Sequence, residues 1–564
     1  MKNFYKNLRK SSGMWVVAIV LIATFLRFYQ LGINPPSLTW DEVSWGYNAY
    51  ALGIDGKDEF GRFLPIDYLE SFGDFKPPVY AYLTIIPVKL FGLTAFATRF
   101  ASAFFGVLTV LLTYFLIREL FLSREAQPPS KYKYAESVSL FSAMLLAISP
   151  WHIMLSRAAF EANVATFFVV AGVYFFVSSI NKKRWFIILS AVSFALSIHT
   201  FNTARIVSPL LVAFLAVGFR NELWRMKKEV LIAGIAGIII VAPAIPFLLS
   251  PQAKLRYNEV NIFSDIGIIE RSNQEIINDG GGIISKALHN RRFYYGIEVI
   301  RHYFDNLSFD FLFISGDNNP KFATGDVGQM YLWELPFFIT GAFFLFRKRK
   351  GYWWVVPIWL MIGLIPASLA RETPHALRTE TALPTFQIIT AIGIFMAFQW
   401  INTKNKLFNL PIIYISFFIW TALFINVLYF IHGYMMHYPR ETSKEWQYGY
   451  KEAIAYVSTA EENYDEIRSG GLLGRPYIYF LFYLQTDPEF FRQTASVERD
   501  VFGFVDVNGF GKYRFGEGEI NEVPDTGNVL VLERPDRIPK NNTRILKEFK
   551  FLDKEVAIAA YEFK

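Results

Sequence analysis

A carboxylate pair and a lysine are the residues best placed to do chemistry. Thr39-Trp40-Asp41-Glu42 follows the first apolar stretch, and Phe75-Lys76-Pro77-Pro78 closes the loop that comes after it. An acid within reach of a hydroxyl can take its proton, and a lysine brought back to the same loop supplies a cation for an anionic group. Each residue also has a structural reading. Asp41 and Glu42 fit the cap of the helix that Val43 to Leu52 begins, and a lysine ahead of two prolines fits an interfacial side chain at a helix start. On these residues alone both readings stay open.

The elements that must position them are set by composition. The 564 residues are 53% hydrophobic and 18% aromatic, and the apolar residues come in long blocks separated by short basic ones. That is the pattern of a polytopic α-helical membrane protein. Spans are expected at 14–33, 97–118, 136–151, 160–180, 185–201, 204–219, 230–249, 329–346, 352–370, 376–400 and 409–431, about eleven transmembrane helices. The net charge of +7 resides in the short loops, so it is a topology signal rather than a nucleic-acid surface. With no cysteine, disulfides, thiolate metal sites and cysteine nucleophiles are excluded. The basic N-terminus runs into an apolar span with no small-residue cleavage signal and reads as a retained anchor.

The loops sort by charge. Lys2/Lys6/Arg9/Lys10, Arg118/Arg124/Lys131/Lys133, Lys182/Lys183/Arg184, Arg220/Arg225/Lys227/Lys228, Arg347/Lys348/Arg349/Lys350 and Lys404/Lys406 share one side, assigned to the cytoplasm. The first loop, 34–78, is acidic and lies on the other side. So do the polar segment 250–328, with a semi-apolar piece around Arg292 to Phe313 that suits an interface, and the C-terminal tail. The expected organisation is a transmembrane domain over 1–435 and a small extracytoplasmic α/β domain over 436–564 of a plasma-membrane protein. In that tail Trp446 to Val457 and Pro476 to Leu484 read as helices, and Asn528 to Leu532 and Glu555 to Tyr561 as strands.

With the topology drawn from loop charge alone, the unusual polar residues fall at one outer face: Asp41, Glu42, Lys76, Arg99, His152, Arg157, Glu161, His199, Asn202, Arg205, Arg371, His375 and Arg378. Ionisable groups at membrane depth are costly and mark ligand or ion paths. Arg157 and Glu161 are also spaced to share a helix face as a structural pair, and His152 also fits the end of a helix at the interface. Arg205 and Arg378 sit within or beside apolar spans, where an anionic partner offsets the cost of the charge.

An outer Asp-Glu pair after the first span, a later Lys-Pro-Pro, and an arginine in Ala97-Thr98-Arg99-Phe100-Ala101-Ser102 opening the next span together resemble the integral-membrane GT-C glycosyltransferases. Within that superfamily they look most like the protein O-mannosyltransferase and aminoarabinose (lipid A) transferase branch. Ser149-Pro150-Trp151-His152, Ser156-Arg157-Ala158-Ala159-Phe160-Glu161-Ala162-Asn163 and Pro374-His375-Ala376-Leu377-Arg378 look like blocks seen in bacterial members of that superfamily. The resemblance covers about 1–431. Phe75 departs from the aminoarabinose branch, which tends to place an acid there, and the long central insertion of eukaryotic protein O-mannosyltransferases is absent.

The resemblance implies an inverting transfer from a polyprenyl-phosphate sugar to a hydroxyl acceptor on a glycan, lipid or protein. Asp41 is then the candidate base with Glu42 assisting. Lys76, Arg99, Arg205, His375 and Arg378 are candidates for the donor phosphate, and His152, Arg157, Glu161, His199 and Asn202 for substrate binding. Two carboxylates would accommodate a divalent cation without calling for one, so no cofactor or metal is expected. A transporter or flippase of a lipid-linked glycan precursor is the alternative, but it should place its charges near the midplane on broken helices, and this chain loads the ends of its spans.

Overall fold

The computed structural model describes residues 2–121, 130–408, 412–499, 505–516, 519–523 and 527–564. Arg124, among the basic loop residues, lies outside them, as do the side chains of Lys2, Lys6, Arg9, Lys10, Lys131, Lys133, Lys404 and Lys406. The chain forms two compact units, one of residues 1–27, 104–156 and 161–431, the other of 28–103, 157–160 and 432–564.

The first unit is helical, and a helix lies at each expected span that falls in it, but several are short: Phe186–Ile198 has 13 residues, Val355–Ser368 14 and Ala204–Gly218 15. Among the described residues, two helices are long and apolar enough to cross a membrane, Ala95–Phe121 and Glu161–Asn181, or up to four if two bent pairs each count as one. The bent pairs correct two of the expected spans. The helix expected at 136–151 turns by 54° between Ile148 and Pro150, and that at 376–400 by 60° between Ala382 and Thr385. Pro150 and Pro384 supply the reason, since proline has no N–H to continue the helical ladder. Leu335–Lys348 and Thr385–Phe408 cross at glycine: a Cβ at Gly341 would sit 1.8 Å from the Ile389 carbonyl, and one at Gly393 would sit 1.9 Å from that of Phe337. Small residues on both sides let the backbones touch, a common way of packing helices without a hydrophobic driving force between them.

Among the described residues the second unit carries nine strands: β1 (Leu69–Ser71), β2 (Asp74–Lys76), β3 (Glu466–Ser469), β4 (Ser496–Arg499), β5 (Val505–Phe510), β6 (Tyr513–Phe515), β7 (Val529–Glu533), β8 (Thr543–Lys550) and β9 (Val556–Phe563). β1 and β2 form a hairpin; the other seven form one sheet in the order β4-β5-β6-β3-β7-β9-β8. β3 runs parallel to both β6 and β7, and the remaining pairs are antiparallel. β7 is buried along its whole length, in keeping with the apolar run Val529 to Leu532 that precedes Glu533.

Leu530, Leu532, Ile558 and Ala560 of the sheet share a core with Tyr450, Ile454 and Val457 of the helix Tyr450–Ala460 and with the aromatic helix Pro476–Tyr483. The same core takes in Leu38, Val43 and Tyr47 around the helix Trp40–Asp55. Gly46 makes this approach possible, because a Cβ there would lie 2.5 Å from the Phe482 ring and 2.6 Å from the Thr98 hydroxyl. Among the helices that were not expected is Val79–Phe91, apolar but only 13 residues long, too short to span hydrocarbon.

Candidate functional site

Thr39 caps the helix Trp40–Asp55 in a reciprocal capping box. Its hydroxyl accepts from Glu42 N at 3.3 Å, and Glu42 Oε2 accepts from Thr39 N at 3.0 Å. This places two acids in the first turn, where the helix dipole favours negative charge. Successive helical residues point about 100° apart, from 3.6 residues per turn, and the two acids accordingly meet opposite surroundings.

Glu42 is fully buried and saturated. Besides Thr39 N it accepts from Arg99 Nε at 2.8 Å, Arg99 Nη2 at 3.1 Å and Ala159 N at 2.9 Å. The last contact gives the Ser156-to-Asn163 block a structural meaning, since Ala159 reaches the same carboxylate. Arg99, also fully buried, spends its remaining N–H groups on the carbonyls of Leu31 (3.2 Å), Pro35 (2.8 Å) and Ser37 (2.5 Å). All five guanidinium donors thus bind protein. The cation therefore ties the chain leaving the first helix to the cap of the next one, and it offers no N–H to a phosphate.

Asp41 faces outward, with its side chain 47% exposed, and its Oδ1 lies 2.6 Å from Lys76 Nζ. Lys76 ends β2, and β1 and β2 pair around Phe72 and Gly73, both at positive φ, 41° and 78°. Such a tight turn fixes the hairpin register and hence where Lys76 emerges. The Lys76 side chain is 5% exposed, and its ammonium donates to Ser44 Oγ at 3.3 Å and lies 4.3 Å from the Phe72 ring centroid and 5.1 Å from that of Trp45. The buried cation is thus held between two aromatic rings and one half-exposed carboxylate.

Beneath the hairpin lies one of the acids of the first loop. Glu59 is fully buried and accepts from Asn48 Nδ2 (2.7 Å), Ser71 Oγ (3.0 Å) and the Tyr477 hydroxyl (2.8 Å), while Tyr477 accepts from Phe72 N (2.8 Å). The network fastens the Asp41 helix, the Lys76 hairpin and the aromatic helix together. Burial pushes the Glu59 carboxyl up to about 8 and that of Asp58 up to about 6. The folded protein therefore holds a proton on Glu59 that the unfolded chain gives up near its ordinary 4.5. Stability from this group is full below that value and is lost as pH rises toward 8. Glu59→Gln should flatten this fall, which we expect to reach a few kcal/mol, in thermal melts of detergent-solubilised protein at pH 5 and pH 8.5. An unchanged slope in the variant would show that Glu59 is not the group responsible.

The other candidates fall into separate sets. Arg157, fully buried in the second unit, donates to Asn34 O at 2.8 Å and lies 5.5 Å from the Tyr434 ring. In the first unit, His152 is fully buried with Nδ1 2.5 Å from Arg27 Nη2, and Arg27 also donates to Ala147 O. His199 Nε2 is 2.8 Å from Ile240 O, Asn202 is exposed, and Glu161 opens its helix. Arg205 lies over the Phe247 ring at 5.8 Å, with no hydrogen-bond partner for its Nε among the described residues.

His375 caps a short helix by accepting from Arg378 N, and Glu372 lies 3.9 Å from Arg378 Nη2 and 4.0 Å from His375 Nε2. Asn306 and Asp317 hold this turn through His375 N and Ala376 N. Among the described residues, no three metal-binding side chains cluster.

Three likenesses to known proteins bear on this arrangement. Residues 17–250 match the PMT family, described as dolichyl-phosphate-mannose-protein mannosyltransferase. An uncharacterized protein of Aquifex aeolicus (strain VF5) is 28% identical over 236 residues, a match spanning 41% of this chain and 41% of that protein. The crystal structure of ArnT from Cupriavidus metallidurans in the apo state superposes with a TM-score of 0.54 at 12% identity, covering 98% of both chains. The same protein bound to undecaprenyl phosphate gives 0.53 at 12% identity, covering 97% of this chain and 98% of that one. At such identity the likeness is one of fold, and it extends through the C-terminal sheet. The chain thus resembles membrane glycosyltransferases in sequence over 17–250 and in fold over nearly its whole length.

Proposed function

We propose that this chain, whose residues 17–250 match the PMT family and whose fold resembles that of ArnT, carries out an inverting transfer of a sugar from a polyprenyl-phosphate donor to a hydroxyl acceptor at the extracytoplasmic face. The observation that carries this reading is the half-exposed Asp41 held 2.6 Å from the buried Lys76 ammonium. Asp41 takes the acceptor proton as the hydroxyl oxygen bonds to the anomeric carbon. The anomeric carbon–oxygen bond to phosphate breaks, and polyprenyl phosphate leaves with the electron pair. Lys76 stabilises the charge gathering on that phosphate.

Arg99 and Glu42 take positioning roles in this scheme, since both are saturated inside the protein. Arg205, His375 and Arg378 remain candidates for the donor phosphate, with Arg205 favoured by its unpaired Nε. The topology that fits is the expected one: about eleven crossings, the N-terminus in the cytoplasm, and both the first loop and residues 436–564 outside.

The test is consumption of a panel of radiolabelled polyprenyl-phosphate monosaccharides by purified protein in lipid. Turnover of one donor names the sugar; no turnover, with labelled lipid crossing the bilayer, would replace this reading with a flippase. In the same assay Lys76→Ala should raise the donor KM by about ten- to a hundredfold, the worth of one charge-assisted hydrogen bond. An unchanged donor KM would remove Lys76 from the donor site.

A further inference from the structure

The C-terminal segment Gly470-Gly471-Leu472-Leu473-Gly474-Arg475 runs to the same surface as Asp41 and Lys76 and has no part in the scheme above. Its path is fixed by close contacts. Gly474 has φ +95°, a Cβ on it would lie 3.1 Å from the Trp40 ring, and its carbonyl accepts from the Tyr450 hydroxyl at 3.0 Å. The segment therefore lies against the residue immediately before Asp41.

Arg475 follows in the left-handed region, φ 52°, a conformation that is costly for a non-glycine residue and gathers at ligand sites. Its guanidinium carbon lies 5.3 Å from the centroid of the Phe72 ring, which also carries Lys76 Nζ at 4.3 Å. The side chain is 47% exposed, and its ion-pair partner, Asp506, is 4.0 Å away and itself 71% exposed. Two cations thus share one aromatic plate at the rim of the site. One is buried and engaged by Asp41, while the other is open to solvent with a loosely held counter-ion.

We propose that Arg475 is an anion-binding residue of this site, taking a phosphate group alongside Lys76 at the Phe72 ring. The proposal rests on the glycosyltransferase reading for the presence of a phosphate and adds a residue from the C-terminal region to its recognition. A planar guanidinium presents paired donors to phosphate oxygens, which an ammonium cannot do, so the two cations complement each other. The phosphate is that of a polyprenyl phosphate or a free anion.

The test is equilibrium binding of farnesyl phosphate, farnesol and inorganic phosphate to the full-length protein in detergent, with wild type, Arg475→Ala, Arg475→Lys, Asp506→Asn and Lys76→Ala. Arg475→Ala should weaken farnesyl phosphate about tenfold and leave farnesol unchanged, Arg475→Lys should recover part of the loss, and Asp506→Asn should tighten binding by removing the competing carboxylate. A role confined to holding the loop would not be improved by Asp506→Asn. Loss for farnesyl phosphate identifies the lipid phosphate, and loss for inorganic phosphate alone identifies a free anion. Unchanged affinity of Arg475→Ala for both, with wild type binding normally, overturns the proposal and leaves the glycosyltransferase reading standing. A loss in Arg475→Ala with none in Lys76→Ala keeps Arg475 and overturns the assigned role of Lys76. Wild type binding neither phosphate overturns both.

Discussion

Arg99→Met is expected to cost the protein about 3–5 kcal/mol of stability, the penalty for leaving one member of a buried ion pair without the other. Glu42 has no exposure through which water could replace the lost partner, and three carbonyls, those of Leu31, Pro35 and Ser37, would lose their donor at the same time. Glu42→Gln should destabilise by a similar route, because the guanidinium then stays charged and buried against a neutral amide. The two changes should not add. Once the pair is broken the second substitution has little left to remove, so the double variant Arg99→Met with Glu42→Met should melt no lower than the worse single variant. Thermal melts of detergent-solubilised protein decide the matter. A variant at position 99 that melts with wild type yet loses donor binding would return Arg99 to the phosphate site and overturn its positioning role.

That result also bears on what the sequence can reveal. Asp41, Glu42, Lys76 and Arg99 stand out as charges beside apolar spans, and the structure does bring all four into one unit. Their division of labour is not written in residue type. Asp41 and Glu42 are chemically alike and adjacent; only the capping geometry sends one into the interior and leaves the other at the surface. Glu59 was invisible for the converse reason. It sits in a polar, acidic stretch that reads as solvated loop, and it is buried because Tyr477, more than four hundred residues away, folds over it.

The sheet shows the same limit. Two of its seven strands, β7 and β9, were legible because they are buried and apolar; β4 is exposed throughout and gives no pattern. The helix Val79–Phe91 was lost between the Lys-Pro-Pro motif and the next long span, being apolar yet too short for the length criterion that finds spans. Burial by distant residues escapes any reading of local periodicity, and in this chain it decides which charges are structural.

Asp41→Asn should abolish transfer without unfolding the protein. A positioned general base contributes roughly 10²- to 10⁴-fold, and an amide of the same shape cannot accept the acceptor proton, so kcat should fall by that factor while the donor KM moves little. The stability side of the expectation follows from exposure. Asp41 is half-exposed and its pairing with Lys76 is a rim contact on the Asp41 side, so the melting point should stay close to that of wild type, in contrast to Arg99→Met. Lys76 is the more sensitive partner. Nearly buried, it loses its counter-ion when Asp41 is neutralised, and an arriving phosphate becomes its sole full anion; donor affinity in Asp41→Asn should therefore hold or tighten slightly even as turnover disappears. This combination separates a base from a donor ligand, because loss of a donor ligand would raise KM instead. Donor turnover and donor binding measured side by side settle it, and full activity in Asp41→Asn would move the proton acceptor elsewhere.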